Sequence, residues 1–95
     1  PLTELEVQAQ QLAFRKQQPG FIEQSFATIS ASSSNAAMCH YHSCEANNKP
    51  LGHNHFYLND SGGQYANGTT DATRTLAWGN VPSQQRLHYT AVLRG

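Results

Sequence analysis

The stretch YLNDSGGQYANGTTDATRT, Tyr57–Thr75, carries two of the six acidic residues of the chain within a glycine-rich pattern. The run HFYLND and the threonine-rich run GTTDATRTLAW are typical of strands, and Asn67-Gly68 between them is a strong signal for a hairpin turn. A carboxylate in a sheet is usually solvated or paired with a cation. Asp60 and Asp71 lie beside small residues, so the sequence raises the hypothesis that they bind a metal ion.

The type of turn decides whether the two aspartates meet. A type I turn over residues 65–68, with a left-handed Gly68 in a bulge, pairs Tyr65 with Gly68 and places Asp71 opposite Gly62. Asp60 then lies on the same face of the hairpin as a diagonal neighbour of Asp71, with Cβ atoms within about 7–8 Å of each other. That separation lets both carboxylates reach one metal ion or a pair of ions about 3.5–4 Å apart.

A tighter turn gives a different outcome. A two-residue turn at residues 67–68 places Asp71 opposite Gln64, too far along the strand to meet Asp60. The alternative to a metal site is that Asp60 is a strand-end residue and Asp71 an exposed partner of Arg74. If the aspartates do meet, their oxygen ligands favour Mg²⁺, Ca²⁺ or Mn²⁺, and an added imidazole favours Mn, Co, Zn or Fe.

The rest of the chain alternates helix signals with strands and loops. A capping box at Thr3–Glu6 predicts a helix that Pro19-Gly20 ends, and Ser83 is a candidate cap for a second helix near the C-terminus. Between them the sequence predicts a serine-rich loop over Ser30–Asn35, a strand over Met38–His42 and a loop over Cys44–Asn54. We therefore expect an α+β fold in which helices flank an antiparallel sheet.

Composition limits the partners of the chain. Ninety-five residues form one domain at most, and a formal net charge of zero argues against nucleic acid and anionic membrane surfaces as partners. No run approaches about eighteen consecutive apolar residues, so the sequence predicts no membrane span. The first residues lack the pattern of a signal peptide, and two cysteines do not make a disulfide framework. These features favour a cytoplasmic protein.

A family resemblance rests on two motifs. The dipeptide His40-Tyr41 and the run DSGGQYANGTTDATRT, which begins at Asp60, resemble the Xaa-Pro aminopeptidases (aminopeptidase P) of the creatinase/methionine aminopeptidase, or pita-bread, superfamily. The similarity covers Phe21–Gly95, and Asp60 and Asp71 keep the family spacing of eleven positions. The resemblance implies a partial pita-bread fold.

The resemblance also implies roles for three side chains. Asp60 corresponds to a carboxylate that chelates one metal ion, and Asp71 to a carboxylate that bridges both ions of a dinuclear site, usually Mn²⁺, with Zn²⁺ or Co²⁺ as alternatives. His40 corresponds to the residue that faces the substrate near the scissile carbonyl or shuttles a proton. The implied substrate is a peptide with proline at its second position. The implied reaction releases the N-terminal residue by attack of a hydroxide held between the two cations.

The family needs a further histidine and two glutamate ligands, which the resemblance places downstream of Gly95. His88 matches none of them. We therefore expect residues 1–95 to be one truncated part of a metallopeptidase catalytic domain, inactive in isolation. A prolidase is the nearest alternative, and a non-catalytic module on the same fold is another, although retention of both aspartates with His40 argues against it. A homodimer is one assembly open to the parent protein.

Cysteines and histidines between residues 39 and 55 form a competing signal. The run CHYHSC, Cys39–Cys44, together with His53 and His55, has the composition of a zinc site. A C-x₂-C pair is absent, and in a strand the first cysteine points away from both histidines of the run, so a tetrahedral site needs a turn here. A zinc-binding module is the alternative from another class. A cysteine nucleophile is a weaker one, because no oxyanion motif accompanies it.

Overall fold

The computed structural model describes residues 2–95 and shows six strands between two α-helices. In chain order they are α1 (Glu4–Lys16), β1 (Phe21–Gln24), β2 (Ile29–Ser32), β3 (His55–Ser61), β4 (Gly63–Tyr65), β5 (Gly68–Thr69), β6 (Ala72–Trp78) and α2 (Ser83–Arg94). A 3₁₀ helix, Ser33–Ala37, follows β2. The strands form two antiparallel sheets, ordered β1-β4-β5 and β2-β3-β6, and α1 packs against β1 and β2. The predicted α+β fold is confirmed.

Helix α1 begins and ends where its sequence signals predict. Thr3 is the N-cap: its hydroxyl oxygen accepts from the Glu6 backbone N–H at 3.3 Å and its hydroxyl donates to the Glu6 carboxylate at 3.1 Å. Gly20 then takes a left-handed φ of 80°, which a glycine adopts without steric cost. The prediction of a cap at Ser83 is wrong. Ser83 is the first residue of α2, and Pro82 takes the cap position without a side-chain hydrogen bond.

The predicted hairpin is present with the predicted pairing. Tyr65 pairs with Gly68, and Asp60 pairs with Thr73. Between these two pairs each strand contributes the same number of residues, so the ladder contains no bulge. A left-handed Gly68 was expected as part of such a bulge and is not observed: within the described residues Gly68 is not among the glycines with positive φ.

The hairpin passes from one sheet to the other at Gly62. Residues on either side of it belong to β3 and β4, and Asp71 lies opposite it, outside both ladders. Thr70 bridges the gap, because its hydroxyl oxygen accepts from the Gly63 N–H and its own N–H donates to the Gly63 carbonyl, both at 2.9 Å. The returning strand, predicted as continuous, therefore divides into β5 and β6. We call residues 62 and 70–71 the crossover.

The prediction of a strand over Met38–His42 is wrong, because this segment is irregular. The Met38 N–H donates to the Asn35 carbonyl at 3.3 Å, and the Tyr41 N–H donates to the Met38 carbonyl at 3.2 Å. The N–H groups of Met38 and Tyr41 are used in these local turns and are therefore not available to pair with a neighbouring strand. The predicted loop over Cys44–Asn54 is confirmed, apart from one bridge between Thr3 and Pro50.

The serine-rich run is also more ordered than predicted. Ser30 and Ser32 belong to β2 and are buried, so a loop over Ser30–Asn35 is wrong. The Ser30 hydroxyl donates to the Glu4 carbonyl at 2.8 Å and lies 2.7 Å from the Tyr57 hydroxyl. Hydrogen-bond partners satisfy these hydroxyls, and a polar run can therefore form a buried strand at the edge of the sheet.

The core is small and partly polar. The buried hydrophobic residues are Ala31, Tyr41, Tyr57 and Val81, and the buried polar ones are Glu4, Thr28, Ser30, Ser32, Asn35 and Ser61. Helix α2 instead presents Leu87, Val92 and Leu93 with 66–82% of their surface exposed. Hydrogen bonds between buried polar groups around α1 therefore make up many of the contacts in the interior. Among residues 2–95 no helix has both the length and the apolar character needed to cross a membrane.

Candidate metal centre

Asp60 lies near the end of β3, the central strand of its sheet. Its backbone pairs with Ile29 on one side and with Thr73 on the other, which fixes the position of the side chain. The carboxylate is half-buried, and its Oδ1 atom is buried without a hydrogen-bond partner. An unsatisfied buried oxygen costs about 1–3 kcal/mol. The sheet therefore presents a carboxylate oxygen that needs a ligand.

Asp71 lies in the crossover and is exposed. The neighbouring Thr70 is held on both sides, by Gly63 and by the Ser25 hydroxyl, which donates to the Thr70 carbonyl at 2.8 Å. A Cβ atom at Gly62 would lie 1.9 Å from that carbonyl oxygen. Only glycine therefore allows the two backbone segments, at residues 62 and 70, to approach this closely. The position of Asp71 therefore depends on the absence of a side chain at position 62.

One cavity brings the three predicted site residues together. Its volume is about 340 Å³, and its lining residues are Phe26, Ala27, Ile29, Cys39, His40, His42, Asp60 and Asp71. We call it the aspartate cavity. The expectation that Asp60 and Asp71 share a face agrees with this placement, and His40 enters the same space from the irregular segment.

The irregular segment also brings His42 and Cys39 to the aspartate cavity. The sequence suggested these two residues only as part of the alternative zinc site, and Cys39 also as a weak candidate nucleophile. The signal that could have indicated His42 is the alternation of side chains around Tyr41, which is only 4% exposed. A strand would place Cys39 on the side away from His42. Because the segment turns instead, both line one cavity.

Tyr41 is a neutral donor inside the protein. Burial raises the pKa of its phenol above the ordinary value, and the hydrogen bond to the Glu4 carboxylate adds to the rise. The phenol therefore stays protonated at neutral pH. Its hydroxyl donates a hydrogen bond to Glu4 Oε1 at 2.6 Å. This contact ties the irregular segment to the first turn of α1.

The acidic and imidazole groups line the cavity without forming a complete metal cluster. In residues 2–95 no three or more His, Cys, Asp or Glu side chains are arranged to hold a metal ion. Both cysteines are free and exposed, so the zinc cluster considered for Cys39–Cys44 is not formed in this part of the chain. The unpartnered Asp60 oxygen fits a hard divalent cation, because such ions prefer oxygen ligands.

Comparison with known sequences gives consistent relatives. Xaa-Pro aminopeptidase 2 of Sus scrofa is 48% identical over 82 residues, which are 86% of this chain and 12% of that protein. Probable Xaa-Pro aminopeptidase P of Paracoccidioides brasiliensis is 43% identical over 94 residues, which are 99% of this chain and 15% of that protein. The chain thus spans about one seventh or less of the length of these relatives.

A solved structure supports the fold, and a family model covers the chain. The X-prolyl aminopeptidase of Caenorhabditis elegans, described as a cytosolic enzyme with a di-nuclear active site, superposes with a TM-score of 0.85. It is 39% identical, and the match covers 90% of this chain and 14% of that one, so the predicted partial pita-bread fold is confirmed. The model of metallopeptidase family M24 matches residues 1–95. Because that match covers the whole sequence, the chain belongs to metallopeptidase family M24.

Proposed function

We propose that this chain is the part of a metal-dependent Xaa-Pro aminopeptidase catalytic domain that supplies two of its metal-binding carboxylates. The observation that carries the proposal is the buried, unpartnered Oδ1 of Asp60 in a cavity shared with Asp71 and His40. The relatives named above are Xaa-Pro aminopeptidases several times longer than this chain. We therefore assign the activity to a full-length protein that contains these residues.

Asp60 and Asp71 are the proposed ligands of two divalent cations, with Mn²⁺ as the resident metal. Asp60 would contribute its Oδ1, which no protein group satisfies, and Asp71 would contribute its carboxylate from the crossover to the same cavity. The cations would supply Lewis-acid chemistry, which activates water and polarises the scissile carbonyl. The two carboxylates would hold that positive charge at the aspartate cavity.

His40 is the proposed substrate-facing residue. It is exposed at the wall of the aspartate cavity, on a segment separate from the strands that carry the aspartates. From there its ring can donate a hydrogen bond to the carbonyl of the bond that is cleaved, or hold a proton for the leaving nitrogen. The proposed substrate is a peptide with proline at its second position.

We also propose a cellular location for the full-length protein. The Caenorhabditis elegans relative is described as cytosolic, and both cysteines of this chain are free. These two observations support a cytoplasmic location.

Cleavage of matched peptides tests the activity. The full-length protein, stripped with a chelator and reloaded with Mn²⁺, is expected to release the N-terminal residue from a tripeptide with proline second. The same tripeptide with alanine second is the control and should be cleaved far more slowly. Cleavage of only the Xaa-Pro dipeptide would identify a prolidase, and no cleavage of any peptide by the Mn²⁺-loaded protein would indicate a non-catalytic module.

The variant His40→Gln separates the substrate role from metal binding. We expect kcat to fall by about 10²–10⁴-fold, because a positioned acid or base contributes that much, while the Mn²⁺ content stays unchanged. Metal content is measured by inductively coupled plasma mass spectrometry on the same samples. His88→Gln is the control, since His88 lies on α2 outside the aspartate cavity. Loss of Mn²⁺ from the His40→Gln protein would show that His40 is a ligand instead.

A further inference from the structure

The carboxylate of Glu4 is fully buried in the first turn of α1, where an acidic side chain normally reaches solvent. Its hydrogen-bond partners within residues 2–95 are backbone N–H groups and neutral side chains, the Ser43 hydroxyl at 3.4 Å among them. The backbone N–H of Ser32 donates to Oε2, Asn35 Nδ2 lies 3.1 Å from the same oxygen, and the Tyr41 hydroxyl and Lys49 N–H reach Oε1 at 2.6 Å and 3.2 Å. Within residues 2–95 no basic side chain is among these donors. A buried charge is tolerated only when it is hydrogen-bonded this fully.

These donors frame one segment of the chain. Asn35 and Lys49 lie near its two ends and Tyr41 lies near its middle, while the residues between them form no helix or strand beyond the 3₁₀ turn. The carbonyl of Asn47 lies beside the same groups: it accepts from Asn35 Nδ2 at 3.2 Å and is 3.1 Å from the Tyr41 hydroxyl oxygen. Glu4 therefore organises a segment that has no regular backbone pairing of its own.

Tyr41 separates the two histidines that face the aspartate cavity. Tyr41 is 4% exposed and points to Glu4, whereas His40 and His42 are exposed and line the cavity. Among residues 2–95 no hydrogen bond holds the His40 ring, and the His42 ring has one contact, at 3.4 Å to the Thr28 carbonyl. The direction of both rings therefore depends on how firmly Tyr41 is anchored.

We infer that Glu4 is a positioning residue: its buried carboxylate anchors the Tyr41 hydroxyl, and this contact aims His40 and His42 into the aspartate cavity. The catalytic consequence rests on the proposed function, because His40 faces the substrate only if the cavity is an active site. The anchoring itself does not rest on that function and can be measured in the metal-free protein.

Two variants weaken the anchor without opening a large cavity. Tyr41→Phe removes only the hydroxyl. Glu4→Gln keeps the shape of the side chain but turns one of its oxygens into a donor, which then faces the N–H of Ser32 or of Lys49. Glu6→Gln is the matched control, since Glu6 is an exposed carboxylate two residues further along the same helix.

Hydrogen exchange in the metal-free, full-length protein measures how firmly the contact between Glu4 and Tyr41 holds the segment around it. We expect amide exchange in residues 36–48 to accelerate at least about 10-fold in Tyr41→Phe and in Glu4→Gln, because each loses a hydrogen bond to a buried charge. Exchange in β3 should not change, and Glu6→Gln should match the parent protein throughout. Unchanged exchange in residues 36–48 of the Tyr41→Phe protein would overturn the inference.

Kinetics of the Mn²⁺-loaded protein test the consequence. Both variants should lose about 10- to 100-fold in kcat/KM, the size of effect expected from a small displacement of a catalytic group, with Mn²⁺ content unchanged. The double variant should lose no more than Glu4→Gln alone, because both changes break one linkage. Losses that multiply, or that accompany loss of Mn²⁺, would indicate a general structural role and overturn positioning. If the parent protein cleaves no peptide, the proposed function fails, and hydrogen exchange still decides the anchoring.

Discussion

Asp60→Asn in the full-length protein is expected to lower Mn²⁺ affinity and kcat/KM by more than about 100-fold, which exceeds the 10- to 100-fold cost of losing a partner of a metal ligand. The same variant should raise the stability of the metal-free protein by about 1 kcal/mol, because a neutral amide replaces a carboxylate whose Oδ1 is buried without a partner. Isothermal titration with Mn²⁺ and urea denaturation of the metal-free protein measure the two effects.

The two effects have opposite signs, which distinguishes a ligand from a structural residue. Asp71→Asn should also weaken Mn²⁺ binding but leave the metal-free stability unchanged, because Asp71 is exposed. Glu23→Gln, an exposed carboxylate on β1, should change neither quantity. An Asp60→Asn protein that binds Mn²⁺ normally and is less stable would contradict the assignment of Asp60 as a ligand.

The hairpin and its two aspartates could be predicted from sequence because the information is local. The side-chain period of two and the turn signal at Asn67-Gly68 reduce the pairing to two registers, and the observed pair of Asp60 with Thr73 belongs to the one that places both aspartates on one face. The observed pair of Tyr65 with Gly68 belongs to that register, although Gly68 lacks the left-handed conformation expected with it. The position of the turn signal alone does not distinguish the two registers.

Features that depend on distant partners could not be predicted. In the sequence Glu4 belongs to a capping box, and nothing near it indicates a fully buried carboxylate. Its donors lie between 28 and 45 positions further along the chain. The same long-range contacts explain why Ser30 and Ser32 form a strand. They also explain why the segment around Tyr41 does not: its side chain is bound to a helix, and its backbone has no strand beside it.

The crossover is a second feature that local patterns do not reveal. The alternation through GTTDATRTLAW predicts a continuous strand, but the chain changes sheets where Gly62 meets Thr70. A glycine in a strand pattern indicates close backbone approach in general terms. Only the tertiary structure shows which backbone segment approaches Gly62. It also shows that this approach places Asp71.

Gly62→Ala is expected to be the most damaging single methyl addition in the hairpin. The new Cβ would lie 1.9 Å from the Thr70 carbonyl oxygen, 2.8 Å from its carbon and 2.4 Å from the Ser25 hydroxyl. Backbone atoms cannot yield as a flexible side chain does, so the strands must separate at the crossover. We expect a loss of about 3 kcal/mol or more in the free energy of unfolding, the upper range for overpacking a buried site. Mn²⁺ affinity should fall as well, because Asp71 moves with Thr70.

Gly68→Ala provides the matched control, since it adds the same methyl group to the same hairpin. No atom lies within 4 Å of the added Cβ, and Gly68 does not have a positive φ. We therefore expect a change in unfolding free energy within about 0.5 kcal/mol and normal Mn²⁺ binding. Ser25→Ala combined with Gly62→Ala should recover little stability, because it removes the contact with the hydroxyl and leaves the contact with the Thr70 carbonyl. Equal urea midpoints for the two glycine variants, or normal Mn²⁺ binding by Gly62→Ala, would mean that close approach at the crossover does not place Asp71.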